Sequence, residues 1–110
     1  MPCDLEESHQ RDALPAAIAQ ISDTLDVLIN NAAFVATSGL AGWALPFEQQ
    51  SVETWRRALE VNLTAAFELV QGCQPLLQTS PHASVINVAS IYGFLGPDQR
   101  LYEGLQCTTQ

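Results

Sequence analysis

The chain has 110 residues, enough for one modest hydrophobic core, and its 47% hydrophobic content is that of a globular rather than a disordered protein. Four basic against twelve acidic side chains give a net charge of -8, which repels phosphate backbones and anionic membranes and excludes nucleic acid as a natural partner. No apolar run approaches the ~20 residues that span a bilayer, and Met1 to Glu7 has neither part of a secretion signal, so a cytoplasmic protein without a membrane partner is expected.

Three cysteines, Cys3, Cys73 and Cys107, stand far apart without zinc or redox spacing and read as reduced, incidental thiols. His9 and His82 have no second ligand at metal spacing, so no metal site is expected.

The first predicted element is a helix over about Ser8 to Ser22. Ser8 is placed to cap it, and Leu14, Ala17, Ile18, Ile21 and Leu25 recur at helical spacing, while Pro15 predicts a kink or a restart. The strand Leu25 to Asn30 follows, and its apolar run Val27 to Ile29 suits the buried interior of a parallel sheet. It runs directly into Asn30, Asn31, Ala32 and Ala33. Two amides at the carboxyl end of such a strand can fix a turn and still offer donors and acceptors to a ligand, and an Asn-Asn pair serves equally well as a turn that caps its own backbone.

Ala33 to Gln50 is a long loop with Gly39, Gly42 and Pro46, of a length that points to binding. Its aromatics Trp43 and Phe47 either pin it to the body of the protein or, with Tyr92, line an apolar pocket. Ser51 to Leu77 then reads as one long helix. Ser51 caps it, Glu53 favours its first turn, and Val52, Trp55, Leu59, Asn62, Ala66, Val70 and Cys73 form a stripe at steps of three and four, with Pro75 ending or bending the last turn. Asn62 is the one polar residue in the stripe. A buried amide there must bond its own helix or hold a water or ligand. After a turn at Thr79 to Ala83, Ser84 to Ala89 is a second buried parallel strand, and it ends in Ser90-Ile91-Tyr92-Gly93. The Ser90 hydroxyl either faces the same crevice as Asn30 and Asn31 or caps the strand end. Phe94 to Gln110 is loop.

Asn-Asn-Ala-Ala after one strand, an asparagine inside the next long helix, and Val-Ala-Ser-x-x-Gly after the next strand occur here in order. Together they resemble the middle of a short-chain dehydrogenase/reductase. The resemblance implies an α/β fold, a partial doubly wound parallel sheet of the Rossmann kind that lacks the first strands and the C-terminal part. It also implies that residues 1-110 are the central fragment of a single NAD(P)-binding domain. By resemblance Asn30, Asn31, Ala32 and Ala33 border the cofactor, with Ala33 in place of the usual glycine, and Asp4 contacts the adenine ring. Asn62 holds a water of the proton relay and Ser90 bonds the substrate carbonyl, which makes these two the catalytic candidates.

Two parts of the family pattern have no match. No Gly-rich turn precedes Asp4, and no Tyr-x-x-x-Lys follows Ser90; Tyr102 stands 12 residues after Ser90, but its fourth following residue is Gln106, which supplies no cation. The catalytic tyrosine is therefore expected beyond Gln110. The expected function is that of a fragment of an oxidoreductase using NAD or NADP, which transfers hydride to or from a small alcohol or carbonyl substrate, inactive as this chain alone and prone to form a homo-oligomer. The alternative is a non-catalytic acidic truncated product that associates through the helix at 51-77.

Overall fold

The computed structural model describes residues 1–35, 38–43, 45–96, 98 and 100. Tyr102, Gln106 and Cys107 lie outside the described residues, as do Ala36, Thr37 and Ala44 within the long loop. Among the described residues there are three α-helices and two strands: α1 (Ser8–Ala19), β1 (Val27–Asn30), α2 (Val52–Leu59), α3 (Ala65–Gln78) and β2 (Ser84–Asn87). Between α2 and α3 the helix continues as a single π turn, Glu60–Thr64.

β1 and β2 pair in parallel with Val27 opposite Ser84 and Asn30 opposite Asn87. Two further bonds lengthen the ladder, from Ser84 N–H to Asp26 O (2.8 Å) and from Val88 N–H to Asn30 O (3.0 Å). Parallel strands cannot be joined by a tight turn, and the crossover between these two is supplied by α2, the π turn and α3. α1 packs along α3, and α3 touches both strands, so the helices form one layer beside the sheet. The fold is α/β, as expected. Among the described residues no helix is long and apolar enough to cross a membrane.

The strands differ from expectation in burial. Leu28 and Asn30 are half-buried, but Val27 is 47% exposed and Ile29 56%, and every residue of β2 is exposed. In β1 the strand alternates sides and the helical layer shields only one of them, whereas β2 is exposed on both sides.

The first helix begins at Ser8 itself, so Ser8 is not its cap. The Glu7 side chain makes no capping bond, and the turn before the helix is instead held by Asp4, whose Oδ1 accepts from Glu6 N–H (3.0 Å) and whose carbonyl accepts from Glu7 N–H (3.2 Å). Pro15 lies inside α1, which neither stops nor restarts there and ends at Ala19. Its ring lies against Gly72 of α3, where a Cβ would stand 2.7 Å from Pro15 Cγ. Proline on one helix and the absent side chain on the other allow the two axes their close approach. Pro75 likewise sits within α3, which continues to Gln78.

The long helix keeps its predicted cap, Ser51 Oγ accepting from Thr54 N–H (3.2 Å), but buries a different face. The buried residues are Thr54, Ala58, Val61, Ala65, Leu69, Cys73 and Leu77. Of the predicted stripe only Cys73 is buried; Val52, Trp55, Leu59 and Asn62 are exposed. At about 100° per residue an unbroken α-helix would place Thr54 and Leu77 about 140° apart. The π turn acts as one inserted residue and brings them to within about 40°, so the buried line runs straight only because the helix is not uniform. Cys73 is fully enclosed in this line, and burial pushes its thiol up.

Ion pairs join the N-terminal segment to the helical layer. Arg11, only 2% exposed, bonds Glu60 of the π turn, Glu68 of α3 (2.6 Å from Nε) and the Leu5 carbonyl. Arg57 of α2 holds Glu6 by two bonds, and its hydrogen bond and charge keep the Glu6 carboxyl below the usual carboxylate range.

Two outcomes follow from this packing. Gly72→Ala should lower stability by roughly 1–3 kcal/mol in urea denaturation, because the new methyl group meets the Pro15 ring. Because the folded-state pKa of Glu6 is depressed, its contribution is present above the unfolded pKa and is lost as pH falls through the folded one. A carboxyl-carbon NMR titration should thus place the Glu6 midpoint below that of a model peptide, and Arg57→Met should return it to the ordinary value.

Candidate active site

The carboxyl ends of β1 and β2 carry matching triplets, Leu28-Ile29-Asn30 and Val85-Ile86-Asn87, aligned residue for residue. The register therefore brings two amides together at the ends of the strands, and Asn30 Nδ2 donates to Asn87 Oδ1 at 2.8 Å. Asn87 went unremarked as a site residue in the sequence. The repeat of two apolar residues followed by Asn in both strands was the signal that could have found it.

Beyond Asn30 the chain runs through Asn31, Ala32 and Ala33 to Phe34, where it is caught by Asn62. Asn62 Oδ1 accepts from Phe34 N–H (2.7 Å) and Asn62 Nδ2 donates to Phe34 O (3.3 Å). One side-chain amide here replaces the strand neighbour that the backbone of Phe34 would otherwise need. Asn62 is exposed and its partner lies 28 residues away, so the expectation of a buried amide, and of one bonded to its own helix, is corrected. It stands at the third position of the π turn, and such turns concentrate at functional sites. The two bonds use half of the amide's hydrogen-bonding capacity.

The long loop is held mainly through its backbone. Thr54 Oγ1 donates to Ala41 O and Ser51 N–H to Gly42 O (3.1 Å). Gly42 adopts φ +74°, and a Cβ there would lie 2.7 Å from Ser51 Cβ, so only glycine suits this contact. Phe47 does not pin the loop, since it is 83% exposed.

Ser90 follows β2 and opens a 3₁₀ turn, Ile91–Gly93, with its Oγ accepting from Tyr92 N–H (3.1 Å). This is a cap, and it also fixes the oxygen while its O–H remains able to donate.

A cleft of about 1010 Å³ opens at these strand ends. Asn30, Asn31, Ala32, Ala33, Asn62 and Ser90 all line it, joined by Asn87 and by the apolar walls Trp43, Val61 and Phe67. Tyr92 contributes the one titratable side chain among the described lining residues. Asp4 is not brought to the cleft; it is engaged at the start of α1, although its neighbour Leu5 reaches the wall. Phe47 does not line it either. Arg57 lies 5.9 Å from the ring centroid of Phe34 and backs the loop from outside. A polar floor of amides and a hydroxyl between apolar walls suits an organic ligand that is oriented by hydrogen bonds.

Comparison with known proteins places this arrangement. Residues 1–102 match the short chain dehydrogenase family. The chain is 29% identical over 106 residues to a rhamnolipids biosynthesis 3-oxoacyl-(acyl-carrier-protein) reductase of Pseudomonas aeruginosa, covering 93% of this chain and 39% of that protein. It is 33% identical over 84 residues to a trans-4-hydroxycyclohexanecarboxylate dehydrogenase of Sinomonas cyclohexanicum, covering 76% of this chain and 29% of the relative. Among solved structures, the Pseudomonas aeruginosa RhlG/NADP active-site complex superposes with a TM-score of 0.74 at 30% identity, over 88% of this chain and 37% of that one. A metagenomic short-chain oxidoreductase in complex with NADP gives 0.69 at 26% identity, over 84% and 39%. The chain thus spans between 29% and 39% of the length of these relatives. With its family match over residues 1–102 and its parallel strands leading into a common cleft, this chain belongs to the short chain dehydrogenase family.

Proposed function

We propose that this chain is the central part of a single NADP-dependent oxidoreductase domain, acting on a small alcohol or carbonyl substrate. The observation that carries this reading is the shared cleft, in which a serine hydroxyl of fixed position just past β2 and the Asn62 amide of the crossover helix meet beside the ends of two parallel strands. Support for the cofactor comes from the two NADP complexes of similar fold. The residues present fit that group in part. The short side chains of Ala32 and Ala33 let a ligand approach the loop backbone, and the amides of Asn30 and Asn31 border it. Asp4 lies outside the cleft but keeps its second carboxylate oxygen for an adenine amino group.

Asn30, Asn31, Ala32 and Ala33 would hold the cofactor, which would supply the nicotinamide as hydride donor or acceptor. Ser90 donates its O–H to the substrate oxygen, while Tyr92 N–H holds the Oγ in place. Asn62 keeps the Phe34 loop at its station and offers its remaining N–H and lone pair to a relay water. The acid/base tyrosine and its lysine partner belong to family segments that these residues do not include, so the chain alone is inactive in this reading. The open sheet, with Val27, Ile29 and Ile86 exposed, favours association into a homo-oligomer in the cytoplasm.

Joined in one polypeptide to family segments carrying the Gly-rich turn and Tyr-x-x-x-Lys, the chain should oxidise NADPH in the presence of a carbonyl substrate. Ser90→Ala should then lower kcat by roughly 10² with little change in cofactor affinity. Turnover that survives the substitution would reduce the hydroxyl to a cap and overturn its catalytic role. Asn62→Ala should lower activity and stability together, the latter by about 1 kcal/mol. Sedimentation of the 110-residue chain should show self-association, and a monodisperse monomer would refute the oligomer.

A further inference from the structure

The π turn that carries Asn62 needs a cause, and proline does not supply one, since none lies between Ser51 and Gln74. Its defining bond runs from Ala65 N–H to Glu60 O, five residues back. Glu60 is also one of the two carboxylates that hold Arg11. The other, Glu68, lies eight residues further on. In an unbroken α-helix residues eight apart point about 80° away from each other. One inserted residue changes that to about 20°, and both carboxylates then face the same side.

We infer that Arg11 is a positioning residue, which selects the π register at Glu60–Thr64 by bonding Glu60 and Glu68 together and so holds Asn62 against the backbone of Phe34. The guanidinium is suited to this task because its planar fork has five donors, and three of its bonds are spent on Glu60, Glu68 and Leu5 O. It sits almost fully enclosed, with its side chain 1% exposed, whereas the glutamates keep 36% and 33% of theirs. Releasing either carboxylate would leave the guanidinium without a partner that it cannot replace with water, so the α register is disfavoured. Specifying a register is the best-attested use of a buried ionic group. The same clamp fixes Leu5, which follows Asp4 and reaches the cleft wall, so the N-terminal segment and the Asn62 loop are set by one side chain.

The inference rests on the proposed role of Asn62 in the active site, but its test reads hydrogen bonds and not turnover, so a failure to bind NADP would leave it untouched. In the ¹⁵N-labelled 110-residue chain, two signals report the geometry: the Phe34 amide and the side-chain NH₂ pair of Asn62. Arg11→Met should speed exchange of the Phe34 amide by about tenfold or more and move the Asn62 pair to the position of a free amide. The sheet amides of Ser84 and Val88, which bond Asp26 and Asn30, should stay within about twofold of their original rates. Unchanged Phe34 and Asn62 signals would overturn the inference. If Arg11→Met abolishes all protection, Glu60→Ala decides, because it removes one arm of the clamp and leaves the Arg11–Glu68 pair. There too the Phe34 amide must exchange faster while the sheet holds, and a Phe34 amide that keeps its original rate would overturn the inference.

Discussion

A guanidinium enclosed at 2% exposure constrains everything packed around it. Desolvating Arg11 costs several kcal/mol unless the charge is paired and hydrogen-bonded, and the partners it finds come from three places in the chain. Glu60 and Glu68 are on the crossover helix, and Leu5 precedes the first helix. The pair of acids and one base leaves a net negative charge, tolerable because both carboxylates reach water. Close packing of Pro15 on Gly72 completes the contact between α1 and α3, so polar and steric complementarity fall on the same interface. In this layer the apolar core itself is narrow, a single line of small and medium side chains from Ala58 to Leu77.

The candidate active site depends on that layer for position and on side-chain amides for rigidity. At the end of a two-stranded ladder the backbone groups of the following loop have no strand to pair with. Asn30 and Asn87 bind each other, and Asn62 supplies both a donor and an acceptor to Phe34. These bonds carry the order of the sheet a few residues past its last rung. A hydroxyl fixed by a backbone N–H at Ser90 extends the same logic on the second strand. The result is a set of oriented polar groups on rigid elements, with apolar side chains from the long loop and from the crossover helix around them.

The sheet explains why such a site stands open. Two parallel strands covered on one side leave Val27, Ile29 and Ile86 in contact with solvent, and each strand has one hydrogen-bonding neighbour among the described residues. Parallel sheets are ordinarily enclosed on both faces. The family relatives are more than twice as long as the stretch they share with this chain.

Element types and the site's loop sequence were legible in the residues alone. Apolar β-branched runs ending in Asn or Ser, a capped helix starting after Ser51, and the order of Asn-Asn-Ala-Ala, Asn62 and Ser90 are local patterns, and local patterns follow from backbone propensity and capping chemistry. The parallel pairing and the gathering of Asn30, Asn31, Ala32, Ala33, Asn62 and Ser90 at one cleft agree with that order. What only the tertiary structure decided was which faces are buried and which groups meet. The predicted stripe on the long helix runs one residue after the buried line from Trp55 to Val70, on both sides of the π turn, because it turned the large apolar Trp55 and Leu59 inward where the small Thr54 and Ala58 face the core. The burial of Arg11, the partnership of Asn62 with Phe34 and the pairing of Asn30 with Asn87 join residues 28 to 57 positions apart. Apart from the apolar-apolar-Asn repeat shared by the two strands, no period or motif in the linear sequence encodes such contacts, because each exists only once the elements are packed in register.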